Sequence, residues 1–365
     1  MVKSKLNIAA LKDWTNQSEF PLIISGPCSA ESEKQVLETA REIAKIPEVK
    51  IFRAGIWKPR TRPGSFEGVG IKGLTWLQKV RKETGLLIAV EVANPQHVEA
   101  ALKHEVDILW IGARTVVNPF SMQELATSIE GVDIPVMIKN PVNPDLSLWI
   151  GAIERFYLAG IKRIAAIHRG FYLFDKSPYR NAPMWEIPIE LKRQLPGLPI
   201  ICDPSHIAGE RELLPEIAQK ALDLEMNGLM IEVHRNPDEA LTDPQQQITP
   251  SGLRRLLDSL IIRRETGNTE FQSKLDELRS EIDKIDAELL QILTNRMQLI
   301  DEIGHYKNEN NITILQLKRW SNLVKDRLAR GVRSGLDRNF LQKLLEIVHT
   351  ESIRRQTEIY NENSD

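Results

Sequence analysis

Cysteine is scarce in this sequence, which contains only Cys28 and Cys202. Two thiols cannot build a disulfide framework, so the class of small disulfide-stabilised proteins is excluded. In a cytosolic chain, a cysteine is instead expected to be buried, catalytic or a metal ligand.

An excess of charge of one sign is also missing. The 48 Lys and Arg residues are balanced by 50 Asp and Glu residues, which gives a formal net charge of −2. A polyanion such as nucleic acid is therefore not expected as a general partner. Local clusters of cations must then be explained as individual binding sites.

Long apolar runs are absent as well. No stretch reaches the roughly 18 apolar residues of a membrane span, and the polar start MVKSKLNIAALKDW lacks the apolar core of a secretory signal. We expect a soluble, cytoplasmic protein with no membrane partner. The 365 residues leave room for one large domain and one small one.

Eight short apolar runs are present instead, and amphipathic stretches such as EKQVLETAREIAKI separate them. The runs are LIISGPC, KIFRAG, LIAVEV, ILWIGA, PVMIKN, RIAAIHR, PIICDPS and GLMIEV. Apolar strands that alternate with helices predict a parallel sheet covered by helices. Eight such units in roughly 250 residues predict a closed (β/α)8 TIM barrel, with an open doubly wound sheet as the competing architecture.

Polar side chains stand at the carboxyl ends of all eight predicted strands, where a barrel carries its chemistry. Six of them are cations: Arg53, Lys58, Arg60, Arg114, Lys139 and Arg169. Because guanidinium groups match phosphate and carboxylate oxygens, this pattern predicts one or two substrates that carry phosphate. The alternative is that charged strand ends simply meet solvent. The sequence contains no P-loop and no dinucleotide fingerprint, so the phosphates are not expected to belong to a nucleotide.

A thiol, an imidazole and two carboxylates also follow these strands, at Cys28, His206, Glu232 and Asp243. Together they offer the donors of a mixed sulfur, nitrogen and oxygen metal site. No tight ligand spacing marks such a site, and each residue has an ordinary alternative as a core thiol, a loop hydrogen-bond donor or an ion-pair partner. From the residues alone, both interpretations stay open.

The stretches GPCS, WKPRT, GAR, IKNP, IHRG, DPSH, IEVH and LTDPQQ resemble, in chain order, the type I family of 3-deoxy-D-arabino-heptulosonate 7-phosphate (DAHP) synthases. The resemblance covers roughly residues 20 to 260. It implies a TIM barrel that condenses phosphoenolpyruvate with erythrose 4-phosphate, the first step of the shikimate pathway. It further implies one divalent metal ion, with Mn, Fe, Zn and Co not distinguished, on Cys28, His206, Glu232 and Asp243.

The same resemblance assigns substrates to the cations. It implies that phosphoenolpyruvate binds five residues: Arg53, Lys58, Arg114, Lys139 and Arg169. The sugar phosphate is expected on the loop of Lys58, Pro59, Arg60 and Thr61, and Lys58 is a candidate for moving a proton at the aldehyde. The related 3-deoxy-D-manno-octulosonate 8-phosphate synthases, which use a five-carbon sugar phosphate, have an Asn in place of the KPRT pattern, so this loop favours erythrose 4-phosphate.

The chain after residue 264 has a different periodicity. Apolar residues recur every three or four positions from Phe271 to Ile303, which predicts one helix of about 55 Å that continues to Lys307. Such a helix needs a partner, and a coiled-coil dimerisation arm is one interpretation. Arg296 and Lys307 argue against it, because they put charge on the apolar stripe and lie on one face, where an anion would bind. Two further helices are predicted, one that stops at Gly331 and one that begins at Asp337.

These three helices resemble an all-helical chorismate mutase over about residues 270 to 360. The residues that carry the resemblance are Arg279, Arg296, Lys307, Arg319, Ser352 and Gln356. It implies an intertwined dimer in which Arg279 serves the pocket of the other subunit, while Lys307 and Gln356 stabilise charge on the breaking ether oxygen. Gln316 and Trp320 replace the Asp and Glu that the family often has. Gln316 is expected to bind the ring hydroxyl, whereas Trp320 cannot replace a carboxylate.

The sequence thus predicts a bifunctional enzyme that is at least a homodimer. The predicted divisions are a DAHP synthase barrel at 1–264, a linker at 265–270 and a chorismate mutase-like domain at 271–365. The alternative keeps the synthase and makes the helices a dimerising module that senses chorismate or prephenate. Only about 20 residues precede the first strand, too few for a regulatory domain there, so we expect prephenate on the helices to inhibit the barrel.

Overall fold

All eight apolar runs form parallel strands that close into one barrel. The strands are β1 (Leu22–Gly26), β2 (Val49–Ala54), β3 (Leu87–Val92), β4 (Ile108–Ile111), β5 (Val136–Lys139), β6 (Ile164–His168), β7 (Ile200–Cys202) and β8 (Gly228–Glu232). Strand β1 pairs with both β2 and β8, with Leu22 opposite Gly228, so no open edge remains. The TIM barrel is therefore confirmed, and the doubly wound sheet is excluded.

The computed structural model describes residues 6–15, 21–59, 64–174, 177–263 and 266–362. By its internal contacts the chain divides into two compact units, Met1–Arg263 and Arg264–Asp365. No helix within the described residues is long and apolar enough to cross a membrane.

Both faces of the barrel strands are buried, which explains why the runs are continuously apolar rather than alternating. Trp110, Met137 and Met230 point into the barrel and fill its interior. The other face of each strand packs against the surrounding helices through a larger cluster that includes Phe52 and Trp149. The interior is thus packed with side chains, and open space is left at the end of the barrel.

Helices follow the strands around the barrel. They are α1 (Lys12–Thr15), α2 (Glu33–Ile43), α3 (Lys72–Thr84), α4 (Pro95–Lys103), α5 (Ala113–Val116), α6 (Pro119–Ser128), α7 (Leu146–Leu158), α8 (Glu186–Gln194), α9 (Pro204–Ala208), α10 (Leu214–Asp223) and α11 (Pro250–Ser259). Asn94, Asn118 and Thr249 each accept a backbone hydrogen bond at a helix start, and a proline follows each of them. This combination fixes where a helix begins.

In residues 266–362, the described part of the second unit, there are three helices: α12 (Thr269–Glu309), α13 (Leu317–Arg333) and α14 (Arg338–Glu362). Helix α12 begins inside the predicted linker, because Asn268 caps it. The predicted stop of α13 at Gly331 was wrong. A Cβ at Gly331 would lie 2.4 Å from Leu341 Cδ1, so this glycine permits close packing, and the residue with positive φ is Gly335.

Helix α12 packs along α14 where Gly304 allows close approach, since a Cβ there would lie 2.8 Å from Ile359 Cδ1. Much of the apolar stripe of α12 does not contact the other two helices. Its large apolar side chains that are half or more exposed include Phe271, Leu278, Ile282, Ile285, Leu289, Leu290, Ile292 and Leu299. The stripe that predicted a partner for this helix is therefore left largely uncovered in the single chain.

Candidate active site

A cavity of about 570 Å³ opens where the carboxyl ends of the barrel strands meet. Among the described residues, five cationic side chains line it: Lys58, Arg114, Lys139, Arg169 and Arg180. Glu91, His206 and Asp243 line it as well. The cavity brings together groups from loops that are far apart in the sequence, as expected for the active-site end of a TIM barrel.

Cys28 lies in the turn after β1, buried beside Lys58, which lines this cavity. Gly26 adopts a positive φ of +152°, and a Cβ there would lie 2.0 Å from the carbonyl oxygen of Arg53. Only glycine allows β1 and β2 to approach this closely. The backbone N–H of Cys28 then donates to Gln247 Oε1 at 3.0 Å, which ties the turn to the loop that carries Asp243.

Three of the four predicted metal ligands form one cluster. The ligand atoms of Cys28, Glu232 and Asp243 all lie within 4.8 Å of one another, and Cys28 Sγ is 3.3 Å from Asp243 Oδ2. His206 stands at the edge of this cluster, with Nε2 3.9 Å from Glu232 Oε1. Its Nδ1 pairs with Asp203 Oδ2 at 2.8 Å, an arrangement that orients metal-binding histidines in many proteins.

The donor set fits a divalent transition metal, because it combines a thiol, an imidazole and two carboxylates. Glu232 Oε1 is buried 3.2 Å from Arg53 Nη1 but accepts no hydrogen bond within the described residues, so this oxygen can also face a cation. Burial and the nearby Glu232 raise the pKa of Cys28 to about 12. A cation that binds here must therefore displace the proton of the thiol.

Asp243 is held as a carboxylate. Burial alone would raise its pKa, but Arg180, whose Nη1 is 2.9 Å from Asp243 Oδ1, lowers it well below its usual range. Asp243 also has a φ of +47°, a conformation that is strained for a residue other than glycine. Strained backbone at a residue that carries a candidate ligand indicates that its surroundings hold it in place.

Lys58 and Arg53 contact the cluster from the β2 side. Lys58 Nζ lies 3.1 Å from Cys28 Sγ and donates to the Cys28 carbonyl oxygen at 3.0 Å. Burial alone would lower the pKa of Lys58, but Cys28 and Glu232 raise it, so the side chain is a cation. Arg53 is only 1% exposed and is not among the residues that line the cavity, so it lies beneath the floor.

The opposite wall carries the other cations. Burial lowers the pKa of Arg169 to about 10, and the neighbouring cations Arg180 and Arg114 contribute to the decrease. Lys139 Nζ pairs with Asp203 Oδ2 at 2.9 Å. Like charges this close favour the binding of an anion, which relieves their repulsion.

Arg60 and Thr61 lie outside the described residues, so their predicted contact with the sugar phosphate stays a prediction. His168, another polar residue at a strand end, does not line the cavity. Its ring is fully buried between Phe171 and Trp185, at centroid distances of 5.8 and 5.2 Å. Residue type and position at a strand end did not reveal that this side chain turns into the packed interior.

Sequence reasoning missed Arg180. It lies in the connection between β6 and α8, at residues 169–185, which is longer than most loops in compact domains. That length was the available signal, since long connections in a barrel are often functional.

A second group of cations lies in the helical unit. Arg296 Nη1 donates to Ser352 Oγ at 2.8 Å, and Lys307 Nζ donates to the Ile314 carbonyl oxygen at 2.6 Å. Burial and Arg327 lower the pKa of Arg296, while burial and Arg319 lower that of Lys307. The helices therefore hold pairs of like charges close together, as an anion-binding site requires.

Ser352 and Gln356 complete this group from α14, where both are buried. Gln356 Nε2 donates to the Ser352 carbonyl oxygen at 3.0 Å, and its Oε1 has no hydrogen-bond partner within the described residues. Arg279 is exposed, and its Nη1 lies 3.6 Å from Asp276 Oδ1. Gln316 is also exposed.

Trp320 stacks face to face on His349, with ring centroids 3.6 Å apart and an angle of 8° between the planes. Burial and Arg296 lower the pKa of His349, so the imidazole lies near the cations in its neutral form. Sequence reasoning did not identify His349 or Arg327. Arg327 follows Arg319 by eight residues, just over two helical turns, and that spacing was the available signal.

Comparison with known proteins places the two units in two families. The DAHP synthetase I family matches residues 13–265, and the family of type II chorismate mutases matches residues 278–357. A phospho-2-dehydro-3-deoxyheptonate aldolase of Thermotoga maritima is 32% identical over 226 residues, which are 62% of this chain and 64% of that protein. The chain thus spans less than two thirds of that relative.

Two further comparisons agree with this fold. A 2-dehydro-3-deoxyphosphooctonate aldolase of Desulfatibacillum aliphaticivorans is 29% identical, with 68% of this chain and 93% of that protein covered. The crystal structure of the Thermotoga maritima DAHP synthase superposes with a TM-score of 0.59 at 28% identity, over 65% of this chain and 67% of that one. Since the family match includes more than half of the residues, this chain belongs to the DAHP synthetase I family, with a segment similar to type II chorismate mutases after the barrel.

Proposed function

We propose that the barrel condenses phosphoenolpyruvate with erythrose 4-phosphate to give DAHP and phosphate, in a metal-dependent reaction. The observation that carries this proposal is that a cavity lined by five cations among the described residues shares Asp243 with a buried cluster of a thiol and two carboxylates. Phosphoenolpyruvate and a sugar phosphate together bring several negative charges. A cavity lined by several cations can bind two such anionic substrates side by side.

The roles of individual residues follow from their positions. Arg114, Lys139 and Arg169 bind the phosphate and carboxylate of phosphoenolpyruvate, which orients its C3 atom toward the aldehyde carbon. A divalent cation on Cys28, His206, Glu232 and Asp243 supplies a Lewis acid for the aldehyde oxygen. Lys58, beside Cys28 Sγ, holds or moves a proton at that oxygen. Arg53 acts from beneath the floor by holding the carboxylate of Glu232.

The competing sugar substrate is arabinose 5-phosphate, because relatives named as phosphooctonate aldolases match the same barrel. The test measures consumption of phosphoenolpyruvate by the full chain, loaded with Mn²⁺, with each aldose in turn. Faster consumption with erythrose 4-phosphate supports the proposal, whereas faster consumption with arabinose 5-phosphate reverses the choice of substrate. No consumption with either would contradict a synthase function.

For the helical unit we propose the rearrangement of chorismate to prephenate. Arg296, Lys307 and Arg319 clamp the two carboxylates, and Gln356 joins Lys307 at the ether oxygen, whose developing charge they stabilise. The test follows the decay of chorismate absorbance with the full chain and with an Arg296→Met variant. Arg354→Met is the matched control, because Arg354 is exposed on α14 and pairs with Glu351 and Glu358.

A sensing role is the second candidate, and the stack of Trp320 on His349 favours it. An indole supplies no acceptor for the ring hydroxyl of chorismate, which weakens catalysis without removing the cations that bind a dianion. In this role prephenate on the helices lowers the synthase rate. The test titrates prephenate against phosphoenolpyruvate consumption; inhibition that Arg296→Met removes supports it, and an unchanged rate at saturation contradicts it.

The assembly is proposed to be at least a homodimer formed through the helical unit. The large uncovered apolar stripe of α12 supports this, since soluble helices rarely leave such a surface in water. Sedimentation of the full chain and of an Ile285→Lys variant is the test. We expect the variant to dissociate, because a charge on that stripe would be buried without a partner.

A further inference from the structure

The two carboxylates of the candidate metal cluster each use one oxygen outside the cluster. Asp243 Oδ2 faces Cys28 Sγ, while its Oδ1 accepts from Arg180 Nη1 at 2.9 Å. Glu232 Oε2 accepts from Gln246 Nε2 at 2.7 Å, whereas Oε1 accepts no hydrogen bond in the described residues and faces Arg53 Nη1 as an ion pair at 3.2 Å. The same Arg180 Nη1 donates to Gln246 Oε1 at 2.7 Å. One continuous chain of hydrogen bonds thus joins both carboxylates.

We propose that Arg180 and Gln246 form a positioning relay that aims Asp243 Oδ2 and Glu232 Oε1 at a divalent cation. The inference rests on the proposed metal dependence and adds residues that do not touch the metal themselves. A carboxylate can rotate so that either oxygen, or both, face a cation. By occupying one oxygen of each, the relay fixes which oxygen remains for the cluster.

The backbone around the relay supports a positioning role. Asp243 caps the short 3₁₀ turn Pro244–Gln246 and Gln246 is its last residue, so they are fixed relative to each other. Asp243 has the strained φ of +47°, and Arg180 is anchored on the other side of the site, where its backbone N–H donates to the Ala208 carbonyl oxygen at 3.1 Å. The relay therefore connects the loop after β8 to the loop after β6, and Gln246 is only 1% exposed.

The decisive variant is Gln246→Leu, because it removes both side-chain hydrogen bonds of Gln246 without changing the charge or greatly changing the volume. Loss of contacts that orient metal ligands typically weakens metal binding by about 10–100-fold, and we expect a loss in this range. The measurement is a titration of the full chain with Co²⁺, followed by the cobalt–thiolate absorption band. This band reports ligation by Cys28 and needs no substrate.

The matched control is Gln245→Leu, the same substitution one position earlier on the same turn. Gln245 is exposed, and its backbone carbonyl oxygen accepts a hydrogen bond from Arg211 Nε at 3.4 Å. We expect Gln245→Leu to bind Co²⁺ like the wild type. Equal weakening in both variants would show a general disturbance of the turn and would overturn the relay, as would wild-type affinity in Gln246→Leu.

Arg180→Met provides a second variant in case Gln246→Leu does not fold. The Arg180 side chain is 45% exposed, so its loss is tolerated more easily. Removal of its positive charge by itself favours a cation, so weaker Co²⁺ binding in this variant would come from the lost relay. Co²⁺ binding by Arg180→Met as tight as that of the wild type would contradict the relay. If the wild-type chain gives no cobalt–thiolate band at all, the proposed metal dependence fails, and that result is distinct from failure of the relay.

Discussion

Arg53 Nη1 lies 3.2 Å from Glu232 Oε1, and the two side chains are 1% and 0% exposed. An ion pair buried this deeply contributes little net stability when intact, because desolvation offsets the attraction. Removal of one partner is costly, since the other charge is then buried alone. Arg53 thus holds Glu232 in its ionised form at the floor of the cavity.

We predict that Arg53→Met lowers the free energy of unfolding by about 3–5 kcal/mol, the usual cost of breaking a buried pair. Urea unfolding followed by tryptophan fluorescence measures this for the barrel, because six of the seven tryptophans precede residue 264. Mn²⁺ should restore more stability to the variant than to the wild type, because the cation replaces the missing positive charge. A loss below about 1 kcal/mol would show that Glu232 is neutral without its partner.

Lys58→Met should lower the kcat of the synthase reaction by about 10²–10⁴-fold, the usual contribution of a positioned acid or base. The reason is the position of Nζ, 3.1 Å from Cys28 Sγ and on the cavity wall. Steady-state kinetics with both substrates are the measurement. Lys50→Met, at an exposed position of β2, is the control and should keep normal kinetics. Normal turnover in Lys58→Met would remove this role.

Chelation should separate the two activities. Within the described residues, the group with metal-binding spacing lies in the barrel, whereas the helical site combines cations with the hydroxyl of Ser352 and the amide of Gln356. We expect dialysis against EDTA to stop phosphoenolpyruvate consumption and to leave chorismate decay unchanged, with synthase activity restored by Mn²⁺. Parallel loss of both activities would contradict two independent sites.

Arg279 tests whether the helical site is shared between subunits. If Arg279 serves the pocket of a partner, Arg279→Ala and Arg296→Ala each inactivate both pockets of their own dimer. After exchange of subunits, a mixed dimer carries one intact pocket, so we expect about a quarter of wild-type chorismate turnover in an equimolar mixture. Each variant measured alone is the control. If both variants are inactive alone, no recovery after demonstrated subunit exchange would show that Arg279 serves the pocket of its own subunit.

His168 should make the barrel sensitive to acid. Burial lowers its pKa from 6.5 to about 3, so between these values the unfolded chain binds one proton more than the folded protein. Stability is therefore lost as the pH falls below 6.5. His168→Phe should lose less stability than the wild type between pH 7 and pH 5, by about 2 kcal/mol. Urea unfolding at both pH values measures the difference, and identical acid losses would disprove this assignment.

Several features of the fold were predictable because they depend on local patterns. Continuous apolar runs at regular intervals specified the eight strands, since strands buried on both faces exclude polar residues. The end of α13 was less predictable, because Gly331 serves packing against Leu341 while Gly335 adopts the left-handed conformation. The sequence alone does not distinguish a glycine needed for close packing from one needed for a left-handed backbone conformation.

The residues of the candidate site were likewise only partly predictable from the sequence. Cys28, Glu232 and Asp243 were candidates from their residue types, and it was the resemblance to DAHP synthases that implied one shared metal site; the structure brings the three together. Arg180 was not identified from the sequence. It does not directly follow a strand, and its link to the cluster consists of hydrogen bonds to Asp243 and Gln246.

The sequence by itself determined the two-part organisation, the barrel class, the balance of charge and most of the polar groups at strand ends. Only the tertiary structure decided which of those groups share one cavity, that Arg53 lies beneath it and that the His168 ring is buried. The physical reason is that strand and helix formation follows local periodicity, whereas side-chain direction and charge pairing depend on neighbours that may be 200 residues away. Cys28 and Asp243, 215 positions apart, become neighbours only when the barrel closes.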